Sequence, residues 1–342
     1  MVADVVVLGA GSWGTALALS LAGDGHRVAL WARREEAARA MRRDRHNPTY
    51  LPDVEIPASI RITHDLEEAA TGRDLWVVAT PSHAVRTLAA DAARYAHPGL
   101  MVVSVAKGIE NGSLKRMTEV LAETLPAVPA ERIGALYGPS HAEEVAAGQP
   151  TTLVAAAPSM DVAAAIQDIF MTPSLRVYVN DDVVGVEIGG SVKNVMAIAA
   201  GMSDGIGYGD NAKAAIVTRG IAEMRRLGIA LGARPTTFAG LAGIGDLVVT
   251  CFSRHSRNRY LGEQVGRGKT LAAVQAEMKM VAEGVRTTES VRALARRHDV
   301  EMPITEAVHA ILFEGKKPEA AVHELMTRAA KQERGLPEAV EE

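Results

Sequence analysis

The run Val5-Val6-Val7-Leu8-Gly9-Ala10-Gly11-Ser12-Trp13-Gly14 decides the fold. Its first half is an unbroken apolar stretch of strand length, the pattern of a strand covered on both faces. Its second half is a G-x-G-x-x-G turn leading into Thr15-Ala16-Leu17-Ala18-Leu19, an Ala- and Leu-rich helix start. In such a turn Gly9 permits the tight bend, Gly11 lets a pyrophosphate approach the backbone, and Gly14 lets helix and strand pack closely. The helix start then offers free N–H groups and positive dipole to phosphates. Strand, turn and helix in this order read as the dinucleotide-binding element of a Rossmann-type fold; the competing reading is a Gly-rich turn with no ligand.

Working outward, short β-rich runs at 4–8, 27–31, 61–63, 75–80, 100–104, 133–136, 152–156 and 176–179 alternate with helix-length segments. Strand, helix, strand repetition implies a parallel sheet with right-handed crossovers. After Asp181 the texture changes to Ala-, Met-, Glu- and Arg-rich segments near 183–203, 211–232, 283–298 and 304–313, which read as helices. Pro235, Pro303 and Pro318 fall near helix starts, where a missing N–H costs little. The expected architecture is α/β: a Rossmann domain with a mostly parallel sheet over 1–180, an all-helical substrate-binding domain over 181–334, and a flexible tail over 335–342.

Composition sets the outer limits. At 342 residues the chain exceeds the size at which one core keeps growing. With 48% hydrophobic and 23% charged residues it has the apolar content to fold. A net charge of -4 and 4% aromatics give neither a basic field nor stacking platforms, so no nucleic-acid partner is expected. One cysteine, Cys251, cannot form an internal disulfide, and no Cys and His cluster has zinc-ligand spacing, so no metal is expected and a reducing, cytoplasmic location fits. The first residues leave no room for a secretory signal, and Gly, Pro or charge interrupts every apolar run before the ~20 residues that span a bilayer. No stable membrane insertion is expected.

The second strand ends in Trp31-Ala32-Arg33-Arg34, where an NAD-selective site would carry an acidic residue. Arg33 and Arg34 can pair with a 2′-phosphate, which favours NADP(H) over NAD(H). A solvated basic helix start competes with this reading, most of all for Arg34.

Gly189-Gly190-Ser191-Val192-Lys193-Asn194 sits early in the first long helix of the second region. Gly189, Gly190 and Ala197 are i-4, i-3 and i+4 from Lys193, leaving one face nearly bare. Close approach of a backbone or a cofactor there would desolvate the amine and lower its pKa toward the range of a general base. An ordinary surface lysine is the competing reading. Two further segments read as ligand loops. Leu241-Ala242-Gly243-Ile244-Gly245-Asp246-Leu247 places a carboxylate after spaced glycines, and Ser253-Arg254-His255-Ser256-Arg257-Asn258-Arg259 concentrates guanidinium, hydroxyl and amide donors suited to a phosphomonoester. A solvated basic loop is equally compatible with the second.

Taken together, Gly9 to Gly14, Ala106-Lys107-Gly108, Gly138-Pro139-Ser140-His141-Ala142, Gly190 to Asn194, Gly243 to Leu247, Ser256-Arg257-Asn258 and Val281-Ala282-Glu283-Gly284 resemble the NAD(P)-dependent glycerol-3-phosphate dehydrogenases of bacterial type. The resemblance covers nearly the whole chain. It implies reversible hydride transfer between sn-glycerol 3-phosphate and NAD(P), giving dihydroxyacetone phosphate, with a role in supplying phospholipid synthesis. It further implies that Ser12, Trp13, Arg33, Lys107, Ala142, Arg257, Val281 and Glu283 contact cofactor. Lys107, Gly138, Ser140, Asp246, Ser256, Arg257 and Asn258 would line the substrate, with Lys193 as proton acceptor. The expected partner is therefore a small phosphorylated molecule, with a homodimer open. Another Rossmann dehydrogenase acting on carboxylates, of β-hydroxyacid or ketopantoate type, and a non-catalytic nucleotide sensor are the competing readings.

Overall fold

The structure, a computed structural model, describes residues 2–278 and 280–330, so the tail expected over 335–342 lies outside the described residues. Its strands are β1 (Asp4–Leu8), β2 (Arg27–Trp31), β3 (His46–Asn47), β4 (Leu51–Glu55), β5 (Arg61–Thr63), β6 (Leu75–Val78), β7 (Met101–Ser104), β8 (Ile133–Tyr137), β9 (Thr151–Ala156) and β10 (Leu175–Asn180). Eight form one sheet in the order β10-β9-β8-β7-β6-β1-β2-β5. These are the eight runs read from the sequence. Within β1, Val5 and Val7 enter the core on one face while Val6 and Leu8 enter the core on the other, all at 1% exposure or less. Alternation across the pleat explains why a doubly covered strand needs an unbroken apolar run. Each such side chain contributes about 1.5–3 kcal/mol relative to exposure.

The chain runs from β1 outward through β2 to β5, then returns to β6 and continues outward on the other side. The sheet therefore reverses its winding between β1 and β6, and ligands of open α/β sheets bind at the carboxyl ends of the strands at such a point. Gly9 follows β1 at this place.

Two features depart from the sequence reading. First, β8 and β9 pair antiparallel, while β9 and β10 pair parallel with each other. The 138–150 connection holds only the five-residue helix Ala142–Ala146. That helix advances about 7 Å, whereas recrossing a five-residue strand needs roughly 17 Å, so the chain turns back at the ligand edge of the sheet. Second, β3 and β4 form a separate small antiparallel pair.

The helical region begins at Val183–Ile206, around which Asp210–Ala230, Asp246–Phe252, Arg257–Gly266 and Glu283–Arg297 pack. Pro235, Pro303 and Pro318 each open a helical segment. Val183–Ile206 is long and apolar enough to cross a membrane, which corrects the expectation that no segment is. Its apolarity reflects burial, since 89% of its most apolar 18-residue stretch lies inside the protein. It crosses Arg257–Gly266 closely because Gly201 and Gly205 face the carbonyls of Arg259 and Glu263, and Gly262 and Gly266 face those of Ile198 and Met202. A Cβ at any of the four would collide with backbone, so only glycine allows this approach. The crossing brings the start of Arg257–Gly266 against the middle of Val183–Ile206, at Asn194.

Candidate active site

At the cofactor end each glycine meets a distinct requirement. Gly9 has φ +132°, and a Cβ on it would lie 2.6 Å from the Ala79 carbonyl oxygen at the end of β6. A Cβ on Gly14 would collide with the Gly9 carbonyl, whereas one on Gly11 would meet nothing within 4 Å. The open space beside Gly11, at the start of helix Ser12–Gly23, fits a pyrophosphate against backbone N–H groups. Asn47, which the sequence reading missed, braces this turn: its side-chain amide donates to the Ala10 carbonyl at 3.0 Å and to Thr15 Oγ1 at 2.9 Å.

Around the turn, Trp13 packs half-buried beside Ala142 and Val145. The Ser12 hydroxyl donates to Met280 Sδ at 3.6 Å, so the segment before Glu283–Arg297 reaches across from the helical region. Val281 is exposed in that segment, and Glu283 accepts a 2.6 Å bond from Ser82 Oγ. Arg33 and Arg34 follow β2 and are exposed, with no ion-pair partner among the described residues; Arg34 also stands at the N-cap of helix Glu35–Asp44. Their guanidinium groups are available to a 2′-phosphate.

Lys193 lies midway along Val183–Ile206, rather than early in it. The small residues beside it do allow close approach: Gly189 faces the Ala242 carbonyl, and a Cβ on Gly190 would stand 2.5 Å from the Tyr137 ring. Lys193 is 6% exposed and Asp246 fully buried. Lys193 Nζ donates to Asp246 Oδ1 and, at 2.7 Å, to Thr250 Oγ1. Thr250 in turn donates to the Asp246 carbonyl at 2.6 Å. Lys107 Nζ donates to Asp246 Oδ2 at 2.6 Å and to the Gly138 carbonyl at 3.0 Å, and Ser140 Oγ donates to that carbonyl at 3.1 Å. Lys107, Gly138, Ser140, Lys193 and Asp246 thus form one cluster, joined by Thr250, which the sequence reading missed.

Burial pushes the Lys193 amine down to about 7; Asp246 pulls it back up, and Lys107 adds to the lowering. Desolvation, reinforced by the second cation on the same buried carboxylate, thus brings the amine toward the range in which it can exchange a proton near neutral pH.

The segments read as loops prove to be helical. Residues 241–245 form a π-helical turn, and Asp246 opens helix Asp246–Phe252, which places Thr250 one turn later on the same face. Ser256 is the N-cap of Arg257–Gly266, its Oγ accepting from the Arg259 N–H at 3.2 Å. Arg257 is exposed in the first turn. Asn258 points inward instead: its amide donates to Asn194 Oδ1 and accepts from the Gly284 N–H, both at 2.9 Å. It therefore ties three elements together, while the Ser256 hydroxyl caps its own helix and the Arg257 side chain is exposed.

A buried bridge holds the Lys193 helix to the sheet region. Glu187, 1% exposed, accepts from Arg116 at 2.6 Å, from the Thr118 N–H at 2.9 Å and from Thr118 Oγ1 at 2.5 Å. Burial raises its pKa against the opposing pull of Arg116 and Thr118. Glu187→Ala is expected to cost about 3 kcal/mol, the lower end for breaking a buried pair, because Arg116 keeps Glu119 at 3.1 Å. Chemical denaturation measures this; a loss below about 1 kcal/mol, the worth of a surface pair, would mean that the bridge is not a stability element.

Residues 4–163 and 182–323 match the family models described as the N-terminus and C-terminus of NAD-dependent glycerol-3-phosphate dehydrogenase. A relative from Salinibacter ruber named glycerol-3-phosphate dehydrogenase (NAD(P)+) 2 is 64% identical over 99% of this chain and 98% of its own. One from Chlorobium phaeobacteroides, named glycerol-3-phosphate dehydrogenase (NAD(P)+), is 56% identical over 97% and 99%. The crystal structure of glycerol-3-phosphate dehydrogenase from Coxiella burnetii superposes with a TM-score of 0.91 at 39% identity, covering 96% of this chain and 99% of that one. With a Rossmann sheet, a helical second half and a lysine and aspartate cluster between them, the chain belongs to the NAD-dependent glycerol-3-phosphate dehydrogenase family.

Proposed function

We propose that this chain interconverts sn-glycerol 3-phosphate and dihydroxyacetone phosphate with NAD(P) as the redox partner, and that Lys193 carries the proton. The observation that bears this reading is the desolvated Lys193, held by Asp246 and Thr250 beside Lys107. A bound nicotinamide supplies the hydride chemistry. In oxidation, neutral Lys193 removes the C2 hydroxyl proton; in reduction, its ammonium form polarises the ketone and protonates the forming alkoxide. Asp246 and Thr250 fix the direction of the amine. Lys107, Ser140, Ser256 and Arg257 hold the substrate, and Asn258 positions Arg257 by anchoring its helix turn. The Gly9–Gly14 turn, Ser12, Trp13, Ala142, Val281 and Glu283 enclose the cofactor. We place the domain boundary near 180 and the enzyme in the cytoplasm, where a single buried, unpaired thiol fits a reducing environment and the product can feed phospholipid synthesis.

We assign NADP(H) as the favoured cofactor, on the two unpaired guanidinium groups after β2. Following absorbance of reduced cofactor with dihydroxyacetone phosphate, using NADH and NADPH in parallel, tests substrate and preference together. NADPH is expected to serve at least as well as NADH, and Arg33→Asp is expected to weaken NADPH more, since only NADPH loses a phosphate pair and gains repulsion. A clear preference of the unmodified enzyme for NADH would overturn the assignment.

A further inference from the structure

We propose that His141 and His255 form the second half of the substrate's phosphate site, an imidazole pair that closes over the phosphomonoester from opposite sides. The proposal rests on the reading of Ser140, Ser256 and Arg257 as substrate ligands and extends it to two residues outside that set. The two rings come from distant parts of the chain and meet with centroids 5.6 Å apart at an interplanar angle of 49°. His141 belongs to the turn after β8, directly following Ser140, whose hydroxyl shares the Gly138 carbonyl with Lys107. His255 directly precedes Ser256, the N-cap of the helix that presents Arg257. The ring contact therefore joins the turn carrying Ser140 to the turn carrying Arg257.

The surroundings of His141 suit a ligand that brings negative charge. Its Nε2 is buried and has no hydrogen-bond partner among the described residues. Burial, Lys193 and His255 all hold the imidazole below its usual range, while Glu144 and Glu143 on the adjoining helix pull the other way. In the free protein this leaves a neutral ring with an unmet polar atom, a costly arrangement. A phosphate dianion between the two turns reverses the balance: it favours the imidazolium and accepts its N–H in a charge-assisted bond. His255 is exposed and can swing its ring toward the same oxygens. Donors would then arrive from both sides, with Ser140 and His141 on the sheet side and His255, Ser256 and Arg257 on the helical side. Substrate binding would lock the two turns together at the phosphate, adding to the Ser82–Glu283 bond that already joins the sheet region to the helical region elsewhere.

The test compares His141→Asn and His255→Ala with Arg257→Ala in steady-state reduction of dihydroxyacetone phosphate and of dihydroxyacetone, with inorganic phosphate as competitive inhibitor. Each histidine variant is expected to raise KM for dihydroxyacetone phosphate by about tenfold or more, the worth of one hydrogen bond to a charged group, with a much smaller fall in kcat. The preference for the phosphorylated ketone over dihydroxyacetone and the inhibition by phosphate should fall by the same factor. His255→Ala changes an exposed side chain and keeps the test valid if His141→Asn does not fold. An unchanged preference ratio and phosphate inhibition in His255→Ala, with both lowered in Arg257→Ala, would overturn the imidazole pair and leave the phosphate site standing. If Arg257→Ala also left both unchanged, the underlying assignment of the substrate site would fall as well.

Discussion

Lys193→Ala is expected to abolish nearly all turnover in both directions while the reduced cofactor still binds. A positioned general acid or base contributes typically ~10²–10⁴-fold. Lys193 also presents its charge to the oxygen that becomes an alkoxide, and loss of one such stabilising group costs typically ~10²–10³-fold in kcat. The two effects come from one atom and are not simply additive, so the loss should lie at or beyond the upper end of the first range. The fold should survive. Asp246, left behind in a buried position, keeps Lys107 as its cation at 2.6 Å and is not stranded. Fluorescence titration of the reduced cofactor, together with kcat in each direction, separates these outcomes. A folded variant with near-normal turnover would remove Lys193 from the proton step.

The same lysine gives opposite pH profiles in the two directions. Its amine is held at about 7, first by burial. Oxidation needs the neutral form, so kcat/KM, which reports the free enzyme, should rise as pH passes upward through about 7 and then level. Reduction needs the ammonium form, so kcat/KM should be full below that pH and decline above it. Parallel profiles in both directions would contradict a single proton carrier.

How much of this was legible in the sequence depends on whether a residue acts through local pattern or through remote contact. β1 and β6 stood out because strands buried on both faces must be apolar throughout, and Gly9, Gly11 and Gly14 because their spacing expresses a local geometry. The direction of β9 was not legible, because it depends on the path of 13 residues in space and not on any property of the strand itself. Ser256-Arg257-Asn258 read as a loop because its side chains are polar. Yet a serine ahead of a helix is an N-cap signal, and the helix it starts turns about 100° per residue, so Arg257 is exposed while Asn258, one position on, meets Asn194. Thr250 lies one helical turn after Asp246 and became visible only once 246–252 proved helical. Asn47 and Glu187 carried no sequence signal, because a polar residue becomes structural only when a distant segment buries it and supplies its bonds.

Arg257→Ala is the second large effect expected, a fall in kcat/KM for dihydroxyacetone phosphate of about 30-fold to several thousand-fold. The reason is chemical. The substrate differs from its unphosphorylated parent by a dianion, and a site that selects the ester must place donors where that dianion sits. Truncating one partner of a desolvated charge pair costs roughly 2–5 kcal/mol, which sets the range. Arg257 is suited to this role by position. It is exposed in the first turn of a ten-residue helix whose leading N–H groups lack intrahelical partners, so guanidinium fork and helix dipole can act on one anion. The helix is held in place by the glycine crossing with Val183–Ile206 and by the Asn258 bridge, so removing the Arg257 side chain should leave its backbone unmoved. Dihydroxyacetone is the control, and its weak turnover should fall far less than that of the ester. If Arg257 also touches the cofactor, cofactor affinity must fall in parallel, which a direct binding titration reads. Equal losses for ester and parent ketone with unchanged cofactor binding would mean that Arg257 supports the fold or the chemistry, and that the phosphate is held elsewhere.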